Sequence, residues 1–118
     1  MDEVTKCTIQ LSRALRESDA CKAFRSASRK LDKRPGLREK INGFRKRNYL
    51  LQNNRESGDL FDEMAQLERE YEELRKDELA GEYLDTELEI CRMLQRCSSE
   101  ILSSVDLQIE NFLDVIEI

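Results

Sequence analysis

The sequence lacks several residue types on which most functional sites depend. It contains no histidine, no tryptophan, one proline and four glycines in 118 residues. Histidine is the commonest general base and metal ligand at neutral pH, so its absence removes the usual catalytic chemistry. There is also no Gly-x-Ser-x-Gly nucleophile motif, no phosphate-binding glycine loop and no Cys-x-x-Cys pair. These absences favour a protein that is not an enzyme.

Long apolar runs are missing as well. No stretch approaches the roughly 20 consecutive apolar residues of a membrane-spanning helix. The N-terminal residues MDEVTKCTIQ do not follow the basic-then-apolar order of a signal peptide. Charged residues make up 38% of the chain, which is typical of long solvated helices. We therefore expect one cytoplasmic all-α domain over residues 1–118, with no membrane partner.

Helical spacing of apolar residues predicts about five helices. The first covers about residues 3–17 and precedes Ser18-Asp19, residue types that cap a following helix. The second ends near Lys33, because the residue before a proline is disfavoured in α conformation. Pro35 is expected in the first turn of the third helix, where its missing N–H costs nothing. A weak break near 76–81 separates the fourth helix, about 60–76, from the last.

The third and fourth helices carry matching heptad patterns. Their apolar seams both step by 4, 3, 4 and 3 residues and consist of Leu37, Ile41, Phe44, Asn48 and Leu51, then Leu60, Met64, Leu67, Tyr71 and Leu74. Two such seams joined by a short polar turn predict a central antiparallel hairpin. Asn48 either fixes the register of this seam or lies exposed beside it.

The last segment continues its apolar seam over some 33 residues, to Ile116. An uninterrupted helix of that length would measure about 50 Å, whereas a compact domain of this size has a radius of gyration of about 13 to 14 Å. Either the helix bends near Ser98-Ser99 or Ser103-Ser104, or another subunit covers part of it. The crowded apolar C-terminus favours the second alternative and therefore an oligomer. The predicted oligomer interface consists of Leu84, Leu88, Leu102, Val105, Ile109, Phe112 and Ile116.

The charges are divided between two segments. Residues 22–55 contain twelve basic and two acidic side chains, a net charge of +10, although the whole chain carries −5. Residues 56–91 contain fourteen acidic and three basic side chains, a net charge of −11. We interpret the two segments chiefly as helices that pair with each other, with Arg45, Lys46 and Arg47 as an exposed partner surface. The alternatives are direct RNA binding by residues 22–55, which we consider unlikely, and docking onto an acidic protein.

The four cysteines give no strong site signal. Cys7, Cys21, Cys91 and Cys97 all fall in predicted helices at scattered spacing, so we expect buried free thiols and no cofactor. A less favoured alternative is an iron–sulfur redox sensor that uses Cys91 and Cys97 between chains. A disulfide is least expected in a reducing cytoplasm.

Residues along nearly the whole chain resemble the YlbF/YmcA family of small helical bacterial regulators. Pro35, Leu37, Ile41, Phe44, Asn48 and Leu51-Gln52 are similar to its proline-initiated helix. Tyr83-Leu84, Glu87, Leu88, Cys91 and Leu94 resemble the Tyr-Leu-x-x-Glu-x-x-Leu segment that opens its last helix.

The resemblance implies an all-α bundle without enzymatic activity that forms homo- or hetero-oligomers. It also implies a role in competence, sporulation and biofilm formation, in complexes with a related subunit that direct the endoribonuclease RNase Y. Some of these complexes bind iron–sulfur clusters through cysteines near the C-terminus. This sequence has no cysteine after Cys97, so no cluster is expected here.

Overall fold

The computed structural model describes residues 1–53 and 60–105, and the regular structure within these ranges is entirely α-helical. The five helices are α1 (Glu3–Arg16), α2 (Asp19–Leu31), α3 (Leu37–Asn53), α4 (Leu60–Lys76) and α5 (Glu78–Ser103). The predicted all-α class and the number of helices are confirmed.

Three helices begin at polar residues whose side chains accept hydrogen bonds from free backbone N–H groups. The Asp2 carboxylate accepts from the Thr5 N–H at 2.7 Å, and the Ser18 hydroxyl accepts from the Cys21 N–H at 3.2 Å. Asp77 accepts from the N–H groups of Leu79 and Ala80, so a single residue is enough to separate α4 from α5. Hydrogen bonds from the Thr5 side chain and backbone lower the pKa of the Asp2 carboxyl.

The start of α3 differs from the prediction. Pro35 lies in the turn before α3 and not in its first helical turn, because Gly36 takes a φ of 85°. That left-handed conformation interrupts helical geometry and suits a residue without a Cβ atom. The first helical residue of α3 is therefore Leu37.

The predicted antiparallel hairpin of α3 and α4 is confirmed. The rings of Phe44 and Tyr71 lie 5.7 Å apart between centroids, and Arg47 forms an ion pair with Glu70. As the α3 residue number rises, the number of its partner on α4 falls, which is the signature of antiparallel neighbours. The Arg75 guanidinium stacks over the Tyr71 ring, 5.8 Å from its centroid.

The core of the chain is small and lies at one end of the hairpin. Helix α5 packs chiefly against α2 and also against α4, while α3 packs on α4. Phe24 of α2 packs on Tyr83 of α5 with ring centroids 5.1 Å apart. The buried side chains come from the second half of α2, the first half of α3, the end of α4 and the start of α5: Ala27, Leu31, Leu37, Ile41, Phe44, Leu74, Ala80, Tyr83 and Leu84.

Three parts of the chain project from this core. They are α1, which buries no residue, the outer half of the hairpin (residues 48–53 and 60–66), and the second half of α5. The Cα radius of gyration is 17.9 Å, compared with about 13 to 14 Å for a compact domain of this length. The chain is therefore open, and much of its apolar surface faces outward.

Helix α5 is shorter than the apolar seam that the sequence predicts. It has 26 residues, about 39 Å at 1.5 Å per residue, and ends at Ser103. The hydroxyls of Ser103 and Ser104 donate hydrogen bonds to the carbonyls of Glu100 and Ile101, which compete with continuation of the helix. The end of α5 coincides with one of the two serine pairs named as possible breaks.

Candidate partner-binding groove

An open apolar groove lies between the outer half of the hairpin and the first half of α5. Its volume is about 1390 Å³. It exists because α3 and α4 continue beyond the last core residues, and no third helix in the described part of the chain covers their inner faces there. The apolar side chains that line it include Phe44, Leu51, Met64, Leu67, Leu84 and Leu88.

The outer end of the groove exposes large apolar side chains. Phe61, at the start of α4, is 89% exposed, and Tyr49, Leu50 and Met64 are also exposed. The sequence analysis missed Phe61 because this residue stands beside the heptad seam and not on it. The sequence did contain a signal for Phe61, however, because an apolar residue outside the seam extends the apolar face of the helix beyond the part that packs in the hairpin.

The predicted partner surface lies on the α3 wall of the groove. Arg45, Lys46 and Arg47 are all exposed. The Arg45 guanidinium donates to the Tyr83 hydroxyl at 3.0 Å and forms an ion pair with Glu87 at 2.9 Å. Lys46 has no ion-pair partner among the described residues, so of these three basic side chains it is the one whose charge remains available in the α3 wall of the groove.

The basic and acidic segments pair with each other, as expected, but the main acidic partner is α5. Lys30 pairs with Glu82 at 3.0 Å, Arg34 pairs with Asp77 at the start of α5, and Arg45 pairs with Glu87. Within this set of cross-segment pairs, only Arg47–Glu70 joins α3 to α4. Each exposed pair contributes about 0 to 1 kcal/mol, so their role is to select which helices pack.

The residues of the predicted oligomer interface differ in how exposed they are in the structure. Leu84 is 4% exposed and packs inside the chain, which leaves it little surface for a contact between subunits. It lies level with the core, whereas Leu88, one turn further along α5, is 43% exposed. Leu102 is half-buried and Val105 is exposed. Ile109, Phe112 and Ile116 lie outside the described residues.

Two further apolar residues of α5 are exposed and were missed by the sequence analysis. Leu94 and Ile101 lie seven residues apart, and they widen the apolar stripe of Leu88 and Val105. The signal in the sequence was their seven-residue spacing, which places them within about 20° of each other around α5 and Leu94 about 120° from Leu88. The apolar surface beyond the core is therefore broader than predicted.

The cysteines are less buried than expected. Cys7 and Cys91 are exposed, and Cys21 and Cys97 are half-buried; all four are free thiols. Cys7 is exposed because no residue of 1–53 or 60–105 buries its side of α1, and Cys91 is exposed because it lines the open groove. In the described ranges, no group of three or more cysteine or carboxylate side chains is placed to hold a metal ion.

Asn48 is half-buried, and its side-chain oxygen accepts a long hydrogen bond of 3.4 Å from the Gln52 amide. It lies in the lining of the groove.

None of the helices in the described part of the chain has the length and apolar content that are needed to cross a bilayer.

Comparisons with known proteins identify the family. A UPF0342 protein of Caldicellulosiruptor saccharolyticus is 28% identical over 114 residues, which cover 95% of each chain. A UPF0342 protein of Caldicellulosiruptor bescii is 26% identical over 112 residues, which cover 93% of this chain and 94% of the relative. No solved structure matches. The profile of the family described as "Control of competence regulator ComK, YlbF/YmcA" matches residues 5–106, so this chain belongs to the YlbF/YmcA family.

Proposed function

We propose that this protein is a non-catalytic regulatory subunit that acts through helix-to-helix contacts. In this proposal it assembles with copies of itself or with a related family member in the cytoplasm. The assembly then influences the processing of mRNA by RNase Y. A regulatory role agrees with the family's description as a control of the competence regulator ComK.

The observation that carries the proposal is the apolar surface outside the core. The exposed Phe61 and Leu88 line the groove, and the exposed Leu94 and Val105 continue the apolar surface to the end of α5 and just beyond it. Soluble monomers rarely expose contiguous apolar patches of this extent, and such patches usually mark sites of protein–protein contact. A subunit in an assembly would cover them.

The groove also offers little support for catalysis. Two of its four charged lining side chains, Arg45 and Glu87, pair with each other, and the lining contains no serine or threonine beside a base. The ion pairs of Lys30, Arg34, Arg45 and Arg47 likewise reduce the charge that the basic segment could present to RNA phosphates. Contact with proteins therefore fits the described residues better than RNA binding.

The proposal is tested by genetic rescue with two matched variants. Leu88→Glu with Val105→Glu places two negative charges on the apolar stripe of α5. The control, Arg96→Gln with Ser103→Glu, makes the same change of −2 in net charge at exposed polar positions of α5. We expect the control, but not the stripe variant, to restore RNase Y-dependent transcript ends in cells that lack the protein.

The readout is the mapping of mRNA 5′ ends, with the amount of each variant checked by immunoblot. If deletion of the gene leaves these ends unchanged, the link to RNase Y is wrong. If the stripe variant restores the ends as well as the wild type does, the α5 stripe is not the contact surface.

A further inference from the structure

We propose that two copies of this chain exchange their first helices, so that α1 of each copy lies in the groove of the other. The apolar face of α1, defined here as Val4, Cys7, Leu11 and Leu15, would cover the groove between α3, α4 and α5 of the partner. This inference rests on the self-association in the proposed function, and it adds the element that each copy contributes and the surface that receives it.

Helix α1 needs a packing partner for its apolar face. It contains 14 residues, none of them buried, and Val4 is 76% exposed. An isolated helix of this length is marginal in water, and most helices in proteins are stabilised by packing of one apolar face. Helix α1 has such a face and is well capped, but its contacts with the other described helices are few and chiefly with α2.

Helix α1 is also held away from the groove of its own chain. At the α1–α2 corner, Arg25 donates to the Arg16 carbonyl at 2.9 Å. The Ser18 hydroxyl donates to the Leu15 carbonyl at 2.6 Å and caps α2 through the Cys21 N–H. These bonds fix the direction in which α1 leaves the core. The groove lining comes from α3, α4 and α5, with no residue of α1 or α2.

Helix α1 and the groove also match in size and charge. Helix α1 is about 21 Å long, and the part of α3 that lines the groove, residues 42–52, spans about 16 Å. The first turn of α1 is acidic and its last turn basic. The groove lining contains Lys46 on α3 and, nearer the tip of the hairpin by the register of Phe44 with Tyr71, Glu68 on α4. The other acidic residue of the lining, Glu87, is paired with Arg45. Opposite charges meet at both ends in only one direction, with the N-terminus of α1 toward the core and with Arg13 and Arg16 pointing outward.

This arrangement is closed and symmetric, because each copy gives and receives the same element. It covers two apolar surfaces of each chain at once. In the inferred direction, the N-terminal half of α1 lies beside the α5 wall of the groove. Cys7 of one copy then comes close to Cys91 of the other, and both thiols are exposed in the single chain.

The native cysteines give a direct test with full-length chains. One chain keeps only Cys7 (C21S, C91S, C97S), and a second chain of different mass keeps only Cys91 (C7S, C21S, C97S). After mixing and treatment with a short bismaleimide, we expect a covalent heterodimer, and we expect little product from either chain alone. A third chain keeps only Cys97, which lies about 120° from Cys91 around α5 and is not in the groove lining. It should not cross-link to Cys7 when it replaces the Cys91 chain.

A second pair of variants separates a specific contact from random collision. Leu11→Glu in the Cys7 chain places a charge on the apolar face and should reduce the cross-linked product at least tenfold. Lys6→Gln makes the same change of −1 in net charge on the opposite side of α1 and should leave the yield within about twofold of the parent chain. Equal yields from the two variants would overturn the inference.

Sedimentation of the same samples distinguishes the possible failures. If the chains sediment as dimers but the Cys7–Cys91 product is absent, the exchange of α1 is wrong and self-association stands. If Cys91 chains cross-link to each other while the mixed product is absent, the copies meet through α5 and the exchange is again wrong. If the chains remain monomers at micromolar concentration, both the exchange and the proposed self-association fail.

Discussion

Ile41→Ala is expected to lower the free energy of unfolding by about 2 to 5 kcal/mol, the usual range for truncating a fully buried aliphatic side chain. Ile41 is completely buried, and it lies among core residues of α2, α3, α4 and α5. Loss of its three outer carbons would leave a cavity that the surrounding helices can only partly close. Because the core contains few side chains, this loss is a large fraction of the stability that a small domain possesses.

The measurement is urea unfolding followed by far-UV circular dichroism, at one fixed protein concentration because self-association also stabilises the folded state. Leu50→Ala is the matched control on the same helix, at a position that is 54% exposed. It should change the free energy of unfolding by less than about 1 kcal/mol. Similar losses for the two variants would show that the described core does not hold the chain together.

The same substitution at two glycines should have opposite effects. Gly81 is buried in the first turns of α5, and a Cβ atom there would lie 2.8 Å from the backbone carbonyl oxygen of Arg75. Because this neighbour is backbone, the corner between α4 and α5 must shift to admit a methyl group. We expect Gly81→Ala to lower the free energy of unfolding by about 1 to 3 kcal/mol, the range for overpacking.

Gly43 lies within α3, and a Cβ atom there would meet only the end of the Arg47 side chain, at 3.5 Å. Gly43→Ala should therefore raise the free energy of unfolding by about 0.5 to 1 kcal/mol through the higher helix propensity of alanine. Thermal unfolding of both variants provides the comparison. If Gly81→Ala were as stable as Gly43→Ala, the close approach of α4 and α5 at this corner would be refuted.

Local signals in the sequence predicted the helices well. Ser18 and Asp77 cap α2 and α5, and the heptad steps from Leu37 and from Leu60 define the two arms of the hairpin. The error at Pro35 came from its neighbour. Proline alone is compatible with a first helical turn, but Gly36 adopts a left-handed conformation that delays α3.

The packing partner of each helix was harder to predict. A heptad seam shows that a helix has an apolar face, but it does not show which helix covers that face. Leu84 and Leu88 stand one turn apart on the same stripe, yet the first is in the core and the second lines the groove. The difference depends on where α2 and α4 end against α5, which is a property of the assembled fold.

The candidate site was likewise only partly visible in the sequence. The basic run pointed to Arg45, Lys46 and Arg47, all of which are exposed on α3. The floor of the groove was not predicted, because Phe44, Leu67 and Tyr71 appear in the sequence as ordinary seam residues of the hairpin. The predicted excess of apolar surface was assigned to α5, whereas the described part of the chain also places it on α1 and at the tip of the hairpin.

The central claim is that another chain covers apolar surface that this chain leaves open, and amide hydrogen exchange at two protein concentrations tests it most directly. The account predicts that the amides of α1 exchange slowly in concentrated protein and much faster after dilution, because a lone helix of 14 residues is marginal in water. Amides near Ala27 and Leu31 of α2, which lie in the core, should be protected equally at both concentrations. Exchange of α1 at one unchanged rate, whatever the concentration, would contradict the account.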